Sequence, residues 1–164
     1  MTCQGIEFLL VPTLVQKGLT IATCESLTAG LLSATIANVP GASAVLQGGL
    51  ITYATRLKHV LADVDQATLD SVGPVSEQCA KEMALGALVA CGSDIGVSLT
   101  GVAGPDPQDG HPVGEVWCGV AFAGHTSEQA VAVRLGAPEF LSGERAKIRQ
   151  DSVGLAIDFV LSLL

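Results

Sequence analysis

Short β-branched, apolar runs alternate with longer segments of helical periodicity, and this alternation constrains the fold more than any other feature of the chain. Apolar residues at helical spacing precede Lys17-Gly18, a cation and a glycine that end a helix. The run Leu19–Thr23 then predicts a first strand, and a helix should follow over about residues 27–38. Because strands that alternate with helices form a sheet between helical layers, we predict an α/β fold, specifically a three-layer α/β/α sandwich.

The remaining pattern predicts the composition of the sheet. Further strands are expected at about residues 48–53, 94–100, 115–123 and 129–135. Further helices are expected at about residues 54–62, 66–72, 77–91 and 142–163, with Ser76 as the N-cap of the third. A short turn joins the last two strands, so they should form an antiparallel hairpin. We therefore predict a mixed, mostly parallel sheet with helices on both faces.

Length and net charge limit the number of domains and the classes of ligand that the chain can bind. The chain has 164 residues, 49% of them hydrophobic, which suits one domain over residues 1–164 with a full core. Its formal net charge of −8 disfavours nucleic acid, whose phosphates attract basic surfaces. Any phosphate-bearing ligand must therefore be bound by a few local cations.

The five cysteines and three histidines are scattered, and none has the spacing of zinc ligands. We therefore expect no metal and no cofactor. Unpaired thiols are typical of a reducing compartment. The first residues lack the features of a secretory signal, and no window offers ~18 uninterrupted apolar residues for a membrane span. These observations predict a cytoplasmic protein without membrane contact.

The junction between the first strand and the following helix presents Glu25 and Ser26. Backbone N–H groups at the start of a helix favour negative charge. Ser26 therefore has two interpretations. It could cap the helix, for which serine is a preferred residue. It could instead be a nucleophile whose oxyanion the helix amides stabilise.

Several motifs carry a resemblance to a known family. They are ESLTAG (Glu25–Gly30), VPGAS (Val39–Ser43), GGLITYATRLK (Gly48–Lys58), GPVSE (Gly73–Glu77), LTGVAGP (Leu99–Pro105), PVGEVW (Pro112–Trp117) and FLSGERAKIR (Phe140–Arg149). In order and spacing, from about Leu19 to the C-terminus, they resemble the CinA C-terminal domain family, the nicotinamide mononucleotide amidohydrolases. The resemblance implies a three-layer α/β/α domain that hydrolyses the carboxamide of nicotinamide mononucleotide to nicotinate mononucleotide and ammonia.

The resemblance also assigns catalytic roles. The serine of the family's E-S-C-T-G-G motif falls on Ser26, and the tyrosine and lysine of its G-G-x-x-x-Y-x-x-x-x-K pattern fall on Tyr53 and Lys58. Lys58 is the candidate base, because no histidine lies in these motifs and serine–lysine pairs are a variant of the catalytic triad. Tyr53 could relay the proton or orient the leaving ammonia. The alternative to catalysis is that Lys58 is a solvated helix lysine and Tyr53 a half-buried aromatic residue of a strand.

Substrate binding is predicted for a further set of residues: Glu25, Thr28, Gly30, Gly49, Thr100, Gly101, Ala103, Gly104 and Arg145. Arg145 matches the arginine of the family's G-D-R motif, and a guanidinium binds phosphate with paired donors. Arg145 and Arg149 are four residues apart and therefore share a helix face. The alternative to phosphate binding is that this face is simply exposed to solvent. Glu25 could orient Lys58 or contact a ribose. The glycine-rich loop Gly101–Gly114 should form a pocket wall.

The chain departs from the family pattern at three places. Leu27–Gly30 replaces C-T-G-G, Tyr53–Lys58 replaces Y-S-N-E-A-K, and Asp106–Gly110 replaces a glycine-rich turn. These changes affect the pocket walls and leave the proposed nucleophile, base and tyrosine in place.

Two other functions stay open. One is a catalytically silent domain that binds a nucleotide or a protein, and the other is an amidase for another small amide. Retention of Ser26, Tyr53 and Lys58 together favours the amidohydrolase. The expected partners are a small-molecule mononucleotide and a second copy of the chain in a homodimer.

Overall fold

The computed structural model describes residues 5–164. Its helices are α1 (Glu7–Lys17), α2 (Leu31–Ala37), α3 (Thr55–Ala62), α4 (Gln66–Ser71), α5 (Glu77–Cys91) and α6 (Arg145–Leu163), and a 3₁₀ turn covers Ala42–Ala44. Its strands are β1 (Ile21–Glu25), β2 (Leu46–Ile51), β3 (Ile95–Gly101), β4 (Val116–Phe122) and β5 (Val131–Arg134).

The strands form one mixed sheet in the order β2-β1-β3-β4-β5. Strand β1 pairs in parallel with β2 and β3, while β4 runs antiparallel to β3 and β5. Helices α1, α2 and α6 pack on one face of the sheet, and α3, α4 and α5 lie on the other. The predicted α/β sandwich with a mixed sheet is therefore confirmed, and so is the antiparallel hairpin of β4 and β5.

Helix α5 lies directly on the sheet. A Cβ on Gly96 of β3 or Gly119 of β4 would overlap the backbone of α5 at Ala84 or Ala80. The helix begins as predicted, because the Ser76 hydroxyl accepts a hydrogen bond from the Cys79 amide at 3.2 Å. This close packing fixes the loop before α5 at one edge of the sheet.

The start of α2 differs from the prediction. The helix begins at Leu31, and the residues between β1 and α2 form a tight turn in which the Ala29 amide donates to the Ser26 carbonyl at 3.1 Å. Ala29 and Gly30 have φ angles of 49° and 99°, a left-handed conformation that cannot continue a right-handed helix. The prediction of a helix from residue 27 was therefore wrong.

In the part of the chain that the structure describes, no helix combines the length and the apolar character needed to span a bilayer.

Candidate active site

The carboxyl ends of β1, β2 and β3 meet at one edge of the sheet, where ligands of open α/β sheets bind. A cavity of about 130 Å³ lies at this edge. It is lined by Ser26, Leu27, Tyr53, Thr55, Lys58, Pro74, Val75, Thr100, Gly101, Val102, Ala103, Gly104, Asp106, Gln108 and Arg145. Since pockets that enclose a whole drug-sized ligand measure roughly 300–1,000 Å³, this one encloses only the end of such a molecule.

Ser26 and Lys58 form a buried pair in this cavity. The side chain of Lys58, on α3, reaches under the end of β1, and only 2% of the residue is exposed. Its Nζ donates to Ser26 Oγ at 3.0 Å and to the Thr52 carbonyl at 2.7 Å. None of the ion pairs within residues 5–164 includes Lys58. The amine is therefore held by two neutral oxygens, with no carboxylate to stabilise its charged form.

Burial lowers the pKa of Lys58 below its ordinary value of 10.5. The thiols of Cys79 and Cys24 are nearby groups whose negative charge would oppose this shift. Burial, however, raises the pKa of Cys79 to about 12 and that of Cys24 to about 11, so both thiols are neutral near pH 7. Lys58 can therefore lose its proton more readily than a solvated lysine and accept one from the Ser26 hydroxyl.

Glu25, and not Ser26, caps α2. The two Glu25 carboxylate oxygens accept the backbone N–H groups of Gly30, Leu32 and Ser33 at 3.0, 3.0 and 2.9 Å. The carboxylate also accepts the Ser33 hydroxyl at 2.9 Å. A fully buried carboxylate at a helix N-terminus satisfies the free amides of the first turn. The predicted roles of Glu25, orienting Lys58 or contacting a ribose, are therefore corrected, and the capping interpretation of Ser26 is wrong.

Thr28, Gly30 and Gly49, which were predicted to bind substrate, do not line the cavity. Thr28 is buried, and its hydroxyl has no hydrogen-bond partner among the described residues. Gly30 supplies the left-handed residue before α2 and gives its N–H to Glu25. A Cβ on Gly49 would lie 2.5 Å from Thr23 Oγ1, so this glycine lets β2 approach β1. All three support the site from outside it.

The other predicted binding residues line the cavity, and Arg145 and Gly104 lie at its mouth together with Tyr53. The guanidinium of Arg145 donates to the Gly104 carbonyl at 2.6 Å and to the Tyr53 hydroxyl at 2.8 Å. Tyr53 is 54% exposed and is not hydrogen-bonded to Ser26 or Lys58. Thr100 and Gly101 lie deeper, and the Thr100 hydroxyl donates to the Pro74 carbonyl at 2.6 Å. Ala103 lies on the same wall as Gly104.

Several lining residues lie in segments that the sequence predicts as pocket walls: Leu27, Thr55, Val102, Asp106 and Gln108. Pro74 and Val75 also line the cavity, and they were not predicted. The motif that contains Pro74 and Val75 carried a usable signal, because it directly precedes the N-cap of a helix that starts at the ligand-binding edge of the sheet. Asp106 and Gln108 lie in the loop that departs from the family pattern.

The fold and this site define a class: a three-layer α/β/α domain with a buried serine–lysine pair at the carboxyl ends of its parallel strands. Residues 4–164 match the CinA C-terminal domain family, and the chain belongs to that family.

Curated relatives agree with this assignment. A competence-damage inducible protein of Levilactobacillus brevis is 43% identical over 157 residues, which cover 96% of this chain and 36% of the relative. The Listeria innocua protein of the same name is 45% identical over 120 residues, which cover 73% of this chain and 29% of the relative. The chain therefore spans about a third of the length of these relatives.

Solved structures have the same fold. A competence/damage inducible protein from Agrobacterium tumefaciens has a TM-score of 0.89 at 27% identity, covering 99% of this chain and 96% of the other. A CinA superfamily protein from Escherichia coli has a TM-score of 0.89 at 27% identity, covering 99% and 91%.

Proposed function

We propose that this protein hydrolyses the carboxamide of nicotinamide mononucleotide, releasing nicotinate mononucleotide and ammonia. The observation that carries the proposal is the buried contact of 3.0 Å between Lys58 Nζ and Ser26 Oγ, in a cavity at the ligand-binding edge of the sheet. Amide hydrolysis requires a nucleophile within hydrogen-bond reach of a base, and this pair meets that requirement.

In the first half of the reaction, neutral Lys58 accepts the Ser26 hydroxyl proton while Oγ attacks the carboxamide carbon. The resulting oxyanion needs an N–H donor. The Leu27 amide directly follows the nucleophile, its residue lines the cavity, and it donates to no acceptor within residues 5–164. Leu27 N–H is therefore the oxyanion donor. Protonated Lys58 then gives its proton to the leaving nitrogen, the C–N bond breaks, and ammonia departs.

In the second half, water replaces ammonia. Lys58, neutral again, accepts a proton from the water molecule, whose oxygen attacks the ester carbon on Ser26. The C–Oγ bond breaks, Oγ recovers the proton from Lys58, and the carboxylate product leaves. The Thr52 carbonyl accepts one Lys58 N–H throughout, which holds the nitrogen against Ser26.

The mouth of the cavity binds the nucleotide phosphate in this proposal. Arg145 is the first residue of α6, whose N-terminal amides have no side-chain cap, and both features favour an anion. Only two of the five guanidinium N–H groups are used in the observed hydrogen bonds. Tyr53 orients Arg145 and does not relay a proton, because its hydroxyl is hydrogen-bonded to Arg145 and not to Ser26 or Lys58.

The test is ammonia release from nicotinamide mononucleotide by the purified chain, with mass spectrometry of the product. Nicotinamide riboside is the matched substrate control, because it carries the same pyridinium carboxamide and ribose without the phosphate. We expect release from the mononucleotide and at least tenfold slower release from the riboside. Equal rates would remove the phosphate-binding role of Arg145, and no release from either compound would contradict the proposed activity.

A further inference from the structure

The turn that carries Ser26 has a strained backbone. This nucleophile turn, Ser26–Gly30, includes Ala29 with a φ of 49°. A left-handed conformation is strained in a residue other than glycine, because it brings the Cβ close to the carbonyl oxygen. Such a conformation persists only where surrounding contacts impose it. The contacts around this turn therefore decide whether Ser26 and Leu27 keep their positions.

Two side chains of opposite charge hold the nucleophile turn: Glu25 accepts hydrogen bonds from backbone N–H groups, and Arg149 donates hydrogen bonds to backbone carbonyls. Glu25 accepts N–H groups at the end of the turn and in the first turn of α2. Arg149 of α6 donates from Nε to the Leu27 carbonyl at 2.8 Å and from Nη2 to the Thr28 carbonyl at 3.0 Å. Arg149 belongs to none of the ion pairs found in residues 5–164. Its fork of donors is thus used on two consecutive carbonyls.

The position of the proposed oxyanion donor follows from these contacts. The Ser26 carbonyl accepts the Ala29 N–H, which closes the turn. Because C=O and N–H of one trans peptide point in opposite directions, this contact turns the Leu27 N–H away from the interior of the turn. The peptides that Arg149 holds lie inside the same turn. Without these two hydrogen bonds, Ala29 could relax to a right-handed φ, and Leu27 N–H and Ser26 Oγ would leave their places.

We infer that Arg149 is a positioning residue for the serine chemistry: it keeps the nucleophile turn in its reactive conformation without touching the substrate. Arg149 does not line the cavity. A lysine cannot replace it, because a single ammonium lacks the planar fork that spans two carbonyls. The inference rests on the proposed role of Ser26, but not on the identity of the substrate.

The test uses diisopropyl fluorophosphate, which reports on the nucleophile without requiring a mononucleotide. In this reaction the Ser26 Oγ–P bond forms, the P–F bond breaks, fluoride leaves, and Lys58 takes the serine proton. The rate of labelling is followed by intact-mass spectrometry for wild type, Arg149→Lys and Arg149→Ala. The matched control is Lys147→Gln, which removes an exposed cation of the same helix.

We expect labelling of Arg149→Lys to be between about 10- and 100-fold slower, approaching the loss caused by removing an oxyanion donor. Lys147→Gln should react at the wild-type rate. In Arg149→Ala, millimolar guanidinium should restore part of the rate, at concentrations far below the molar range that unfolds proteins. With nicotinamide mononucleotide, Arg149→Lys should lower kcat and leave KM within about twofold, as expected for lost transition-state contacts.

The outcomes separate the two proposals. If wild type is labelled at Ser26 but does not hydrolyse the mononucleotide, the substrate proposal fails and the role of Arg149 stands. Wild-type labelling rates in Arg149→Lys would overturn that role, as would a folded Arg149→Ala that guanidinium does not restore. If wild type is not labelled at Ser26, the nucleophile and the inference both fail. Near-ultraviolet circular dichroism checks that each variant is folded.

Discussion

The floor and the mouth of the cavity differ in burial. At the floor, Ser26 and Lys58 are 8% and 2% exposed, and each contacts the other. At the mouth, Tyr53 is 54% exposed and Arg145 is exposed, and each again contacts the other. Burial of an unpaired amine favours its neutral form, whereas exposure leaves a guanidinium charged and free to meet an anion. The floor is therefore suited to proton transfer and the mouth to binding.

The largest effect is expected from Ser26→Ala. Removal of a catalytic serine can lower kcat by up to about 10⁶-fold, and ammonia release should fall at least 10³-fold here. The melting temperature should change little, because Ser26 does not cap α2. Ser43→Ala, which alters an exposed serine elsewhere, is the control and should keep full activity. Activity of Ser26→Ala within tenfold of wild type would remove serine attack from the account.

Lys58→Arg and Lys58→Ala distinguish a base from an electrostatic anchor. Arginine keeps the positive charge but does not release a proton near neutral pH, so both variants should lose activity to a similar extent, roughly 10²-fold or more. Ammonia release under substrate saturation measures the loss. If Lys58→Arg alone kept most of the turnover, Lys58 would act through its charge and the base would lie elsewhere.

Changes at the mouth should affect affinity and spare the chemical step. Arg145→Gln removes the proposed charged contact to the phosphate and should raise KM about 10- to 100-fold, since a hydrogen bond to a charged group is worth roughly 1.5–3 kcal/mol. Tyr53→Phe removes only the oxygen that holds Arg145, so KM should rise about 2- to 10-fold. A fall in kcat at constant KM in either variant would place that residue in the chemistry.

The smallest effect concerns stability. Ala29→Gly relieves the left-handed strain of roughly 1–2 kcal/mol but adds flexibility to the unfolded chain worth roughly 0.5–1 kcal/mol. The free energy of unfolding should therefore rise by about 0–1.5 kcal/mol, as measured by urea denaturation. A loss above about 1 kcal/mol would show that Ala29 makes a stabilising contact that outweighs its strain.

Local patterns in the sequence predicted most of the fold. Helix α5 with its Ser76 cap and the hairpin of β4 and β5 depend on neighbouring residues, and both are confirmed. The start of α2 was wrong because the apolar periodicity of Leu31, Leu32 and Ile36 does not encode where the first turn closes. The nucleophile turn is instead held by Arg149, more than a hundred residues away, at a separation of 122 from Leu27.

The site was less accessible to sequence reasoning than the fold. Family motifs pointed to Ser26 and Lys58, which lie 32 positions apart, but no spacing rule gives their contact. The role of Glu25 was missed because its carboxylate points to α2 amides, away from the cavity. Some glycines line a ligand site, and others, such as Gly49, allow a neighbouring strand to pack closely. Only the three-dimensional packing shows which role a given glycine has.

The pH dependence of kcat/KM tests most directly whether a neutral, buried Lys58 is the base. The folded chain lowers the Lys58 pKa below 10.5, and only the deprotonated amine can accept the Ser26 proton. If neutral Lys58 is the base, kcat/KM of the wild type should rise with pH through one apparent pKa below 10.5 and then reach a plateau, while that of Lys58→Arg stays low at every pH. Wild-type activity that is constant or falls as pH rises over this range would contradict this role of Lys58.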